Sequence, residues 1–77
     1  MSKKSRLVVV NAEKFRQIRK SLGLSQVELS RRSGYSERVV RKAESGGVLR
    51  RQTLVELAIA MSTELAIVAM IDLEQSC

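Results

Sequence analysis

Apolar positions recur at helical spacing along most of this chain, and the segments they define are bounded by residues that start and stop helices. Phe15, Ile18, Arg19 and Leu22 follow one another at i, i+3, i+4 and i+7, with Asn11 placed to cap the start and Gly23 to close the end. That predicts a first helix with one stripe facing a core, on which Arg19 is the oddity. Ser25 and Glu28 form a capping-box pair, so a second helix starts at Ser25, carries Val27, Leu29 and Arg31, and stops at Ser33 before Gly34. Ser36 caps the next helix. Tyr35 and Val40 flank that cap as a hydrophobic staple, which fixes the angle of entry. This third helix runs through Ala43 and ends at Gly46 and Gly47. Val40 and Ala43 face inward on it, while Glu37, Arg38, Arg41 and Lys42 are left pointing out. The second and third helices with their short turn, residues 25–45, read as a helix-turn-helix.

The flanking segments are less sharply specified. Residues 7–10 are a β-branched run that suits a strand but needs an edge to pair with, which a second copy of the chain would supply. Residues 48–52 read as a loop. Leu54, Leu57, Ala58 and Met61 restore helical spacing and predict a fourth helix. Beyond Ser62 the stretch 65–73 is apolar nearly all round, so something must cover it, either a second copy or a following domain. It reads as helix or strand, with helix favoured. The expectation is an all-α, compact four- to five-helix bundle with a short N-terminal strand. Residues 1–10 form a basic tail and that strand, and 11–77 form one small domain.

Charge by position adds a function class. All fourteen Lys and Arg residues lie between Lys3 and Arg51, opposed there by Glu13, Glu28, Glu37 and Glu44; from Leu54 onward there are acids and no base. A basic surface focused on one end of a small domain is the footprint of a polyanion binder, nucleic acid first and anionic membrane second, against the alternative of a solvated basic face. His is absent and the one Cys is Cys77, so acid-base, nucleophilic and metal chemistry lack their parts. The reading is no enzyme, no cofactor and no metal. With no secretory core and no apolar run of membrane-spanning length, a cytoplasmic location without membrane association is expected.

The segment from Phe15 to about Val68 resembles the phage Cro and CI type of repressor, the xenobiotic-response-element class of bacterial regulators. The residues that carry the resemblance are Leu22, Gly23, Leu24, Ser25 and Gln26, then Gly34, Tyr35 and Ser36, Val40, then Glu44, Ser45 and Gly46, and finally Leu54, Leu57 and Ala58. It implies a helical bundle that binds operator DNA as a dimer, without catalysis. It also implies that Gln26 contacts a phosphate and packs against the start of the recognition helix. Glu37, Arg38 and Lys42 then sit where base edges are touched, with Arg41 alongside toward the backbone and Arg50 and Arg51 at phosphate or the minor groove. Arg19 and Glu44 become an internal ion pair, which would account for a charge on an apolar stripe. Val39 replaces a residue that is usually polar, and either meets a thymine methyl or is partly buried.

Physical chemistry ranks these candidates. Arg38 is assigned to sequence readout, because a guanidinium can donate two parallel bonds to guanine, worth about 1 to 3 kcal/mol of discrimination. Glu37 either accepts from cytosine or is held by Arg41, the second being preferred. Arg31, Arg32, Arg50 and Arg51 are affinity residues or are simply solvated. Double-stranded DNA is the expected partner and a homodimer the expected state, with Leu65, Val68 and Ile71 as its interface. The alternative is an antitoxin-type or protein-interaction module that uses the apolar C-terminal segment to hold a partner protein.

Overall fold

The computed structural model describes residues 7–72 of the chain. The basic residues Lys3, Lys4 and Arg6, and the end of the apolar stretch at Leu73, lie outside the described residues. In chain order the elements are β1 (Leu7–Val10), α1 (Ala12–Ser21), α2 (Gln26–Ser33), α3 (Glu37–Glu44), β2 (Val48–Arg50), α4 (Arg51–Ala60), the single turn α5 (Leu65–Val68) and β3 (Ala69–Asp72). The helical bundle expected from the sequence is present, and to it is added a three-stranded sheet of order β2-β1-β3.

Local chemistry sets the helix starts. The Asn11 side chain accepts from the Lys14 N–H at 3.2 Å, and Ser25 and Glu28 exchange the two bonds of a full capping box. The Ser25 N–H is thereby satisfied by the Glu28 carboxylate, and this bond holds the Glu28 carboxyl below its usual value. Ser36 caps α3 by accepting from the Val39 N–H. Three of the helix ends share one device. After α1, α3 and α4 the chain turns through a residue of positive φ, and two N–H groups reach back to the last carbonyls, as in Gly46 to Ala43 and Gly47 to Lys42. At the first two of these ends the positive-φ residue is Gly23 or Gly46; at the third it is Ser62, with φ 57°.

The core is formed from every layer. Phe15, Leu29, Val40, Leu54 and Leu57 are fully buried, together with Val8 and Val10 from β1 and Val68 from α5. Each such side chain contributes about 1.5 to 3 kcal/mol relative to exposure. In β1 the pattern alternates, Val8 and Val10 inward and Leu7 outward, which is the period of a strand with one covered face.

Four sequence expectations change here. Residues 7–10 do pair, but with the chain's own strands: Val8 faces Leu49 on one side and Asp72 on the other, both antiparallel. Residues 48–50 are β2 rather than loop, and Arg51 already opens α4. Of the stretch 65–73, favoured as helix, residues 65–68 form one helical turn and residues 69–72 a strand, for which β1 offers an open edge. Leu22, placed on the inward stripe of α1, is 44% exposed, and Leu24 beyond the turn fills the core in its stead. A short helix ending in a left-handed glycine commonly buries the residue after that glycine.

Candidate nucleic-acid interface

Helices α2 and α3 are joined by a turn at Gly34, whose φ of 84° closes α2 in the left-handed conformation that glycine adopts without strain. Tyr35 and Val40 both join the core, Tyr35 half-buried and Val40 completely, so the entry to α3 is fixed from its two sides. Val40, Ala43 and Glu44 form the inner face of α3. Arg38, Arg41 and Lys42 are exposed, and Glu37 is half-exposed. Val39 is half-buried and packs against the core. The charged residues predicted on the outer face of α3 therefore lie on one side of one short helix.

Within that face Glu37 is engaged. Arg41 donates to it at 3.1 Å, an i,i+4 pair on the helix surface. Arg38 and Lys42 have no ion-pair partner among the described residues. Arg50 and Arg51, at the junction of β2 and α4, are exposed, as are Arg31 and Arg32 at the end of α2.

A buried polar knot holds the two motif helices to α1. Arg19 donates through Nε to Glu44 Oε2 and through a terminal N–H to Glu44 Oε1 at 3.0 Å, and its other terminal nitrogen donates to the Leu24 carbonyl at 2.8 Å. The guanidinium is thus satisfied on several sides, which is what a charge removed from water requires. Gln26 Nε2 donates to the same Glu44 Oε1 at 3.0 Å. The Gln26 amide, which the resemblance set against the start of the recognition helix, is thus bonded to Glu44 at the end of that helix.

Two contributions were not read from the sequence. Arg16 donates to the Glu44 backbone carbonyl at 3.2 Å, a cation at the negative end of α3. The Tyr35 hydroxyl donates to Glu56 at 2.5 Å, and Gln52 donates to the same carboxylate at 2.9 Å, tying the turn of the motif to α4. These bonds hold the Glu56 carboxyl below its usual value. In return Glu56 pushes the Tyr35 hydroxyl above its own, against an opposing contribution from Thr53. Only Gln52 and Glu56 carried a local signal, their i,i+4 spacing.

Of the residues proposed for a dimer interface, Val68 is fully buried in its own chain and offers no area to another. Leu65 is half-buried against the same core, and Ile71 lies in β3 opposite Val9. Among the described residues no group of three or more His, Cys, Asp or Glu is placed to hold a metal ion, and no helix is long and apolar enough to cross a membrane.

Fold and site together define a small helix-turn-helix domain with a basic outer face. Residues 15–68 match the helix-turn-helix family HTH_3, and this chain belongs to that family. It is a family of DNA-binding transcription regulators and in general not of enzymes. The fold is similar to that in the crystal structure of an HTH_3 family transcriptional regulator from Vibrio cholerae, with a TM-score of 0.67 and 24% identity over 74% of this chain. The match covers 33% of that protein, so the chain corresponds to about a third of its length. No curated protein matches the chain.

Proposed function

We propose that this domain binds duplex DNA sequence-specifically, as a homodimer, with residues 36–45 in the major groove. The observation that carries the reading is the outer face of α3, where Arg38 and Lys42 are solvent-exposed and unpaired among the described residues while Val40, Ala43 and Glu44 hold the helix down. Packing does not require cations there, and a groove does. Arg38 reads a base, Lys42 favours guanine or phosphate, and Arg50 and Arg51 neutralise phosphates from the β2–α4 junction. The Arg41 bond supports the reading in which Glu37 is kept off the DNA by its neighbour. Gln26 holds Glu44 with one amide N–H and retains a second for a phosphate at the start of α2.

One domain of this size covers too little duplex for tight specific binding, and two copies on half-sites roughly 34 Å apart multiply the interactions. With Val68 buried, the exposed apolar side chains among the described residues include Ile67, at 46%, and Ile59, at 65%, with Leu65 half-buried. Exposed Ile67 also supports the alternative in which the apolar C-terminal segment holds a partner protein. Selection of bound duplexes from a random pool, with sedimentation of the free protein, tests both. Two-fold symmetric sites and a dimer are expected. Failure to retard any duplex at low salt would overturn the DNA reading, and a monomer at high micromolar concentration would remove the dimer.

A further inference from the structure

Between α3, β2 and the first turn of α4 lies a groove of about 320 Å³ lined by Tyr35, Val39, Val48 and Thr53, with Lys42 and Arg50 among its walls. Both cations are exposed and neither has an ion-pair partner among the described residues. No carboxylate lines the groove. The acid that meets one of its walls, Glu56, is occupied by the Tyr35 hydroxyl and the Gln52 amide. A half-apolar floor with two cations and no anion is complementary to one kind of small molecule, an apolar chain ending in a negative charge. The volume corresponds to roughly ten water molecules, or about ten non-hydrogen ligand atoms.

We infer that this groove is a binding site for a small amphipathic carboxylate, its alkyl or aryl body over Val39 and Val48 and its charge at Lys42 and Arg50. Because both cations belong to the proposed DNA-binding set, occupancy engages both, offsets one of their two charges and weakens the hold on the duplex. That second step rests on the DNA reading given above; binding itself does not. The ligand thereby competes with phosphate for the same charges rather than acting from a distant domain.

Tyr35 is the single Tyr of the chain and there is no Trp, so intrinsic emission reports from the wall of the groove. Octanoate added to the free protein is expected to change that emission saturably, whereas octylammonium, of equal length and opposite charge, leaves it unchanged. Lys42→Ala and Arg50→Ala each weaken octanoate binding by about fivefold, the scale of one exposed charge pair. Thr53→Phe, which fills the groove without replacing a residue proposed to bind DNA, abolishes it. In the presence of DNA, octanoate lowers duplex affinity for the unaltered chain and not for Thr53→Phe. No saturable response to octanoate, or an equal response to octylammonium, overturns the site. Octanoate binding in a protein that retards no duplex leaves the site standing and overturns the DNA reading.

Discussion

Arg19 and Glu44 illustrate how a residue that looks misplaced in the pattern is decided by its partner. On the stripe of α1 the guanidinium is removed from water, and its cost is met by two bonds to Glu44 and one to the Leu24 carbonyl. Arg19→Met is expected to destabilise the fold by about 3 to 5 kcal/mol, because it leaves the Glu44 carboxylate buried with Gln26 alone. The double change Arg19→Met with Glu44→Leu should recover most of that loss, since it removes both charges together. Chemical denaturation of the unaltered chain and the two variants measures it, and a double variant no more stable than the single one would show that the pair does more than neutralise itself.

Tyr35 and Glu56 make a second residue-scale prediction, one of pH. The Glu56 carboxyl is held below its ordinary 4.5, so the stability it contributes is present above that value and is lost as pH falls through the lower, folded one. Tyr35 is held above 10.0, so its contribution is full below that and lost as pH rises further. Tyr35→Phe should lower the urea midpoint between about pH 5 and 10 and flatten the fall on the acid side. Parallel profiles from about pH 6 to 3 would mean that this bond does not set the acid limb.

At the scale of elements, the helix ends carry most of the specification. The turns after α1 and α3 place glycine at positive φ, whereas the turn after α4 uses Ser62, an L residue in a region that costs it about 1 to 2 kcal/mol. Ser62→Gly is therefore expected to raise stability, by less than that range because glycine loses more backbone freedom on folding. A midpoint that falls would show that the Ser62 side chain contributes more than its backbone costs. At the end of α3 a different constraint acts. A Cβ at Gly47 would lie 2.8 Å from Lys42 Cγ and 3.0 Å from the Lys42 carbonyl oxygen, so any larger residue would have to displace Lys42. That close passage turns the chain directly into β2 and places Arg50 beside the recognition helix.

For the whole molecule, the cations of α2, α3 and the β2–α4 junction are exposed, and the proposed DNA binding rests on them. Two substitutions separate affinity from readout. Arg50→Ala should weaken binding to all duplexes alike and reduce the slope of log affinity against log salt by about 0.9, the change expected when one phosphate fewer is neutralised. Arg38→Ala should change which sequence is preferred, by about 1 to 3 kcal/mol at one base position. Titrations at several salt concentrations on matched and altered sites distinguish them. Equal weakening of every duplex by both would remove Arg38 from base readout.

What the sequence determined on its own was everything that neighbours along the chain can decide. The limits of α1, α2 and α3 follow from Asn11, Ser25, Glu28, Ser36, Gly23, Gly34 and Gly46, because a cap acts over three or four residues and needs nothing from elsewhere. The outward set on α3 followed from helical period alone. Tertiary structure decided the state of residues 48–50 and 65–72, since a strand of three or four residues has no stability without an edge, and that edge is β1, far away along the chain. It decided equally that Gln26 meets Glu44, that Tyr35 meets Glu56 and that Val68 turns inward, each a meeting of elements that no local spacing encodes.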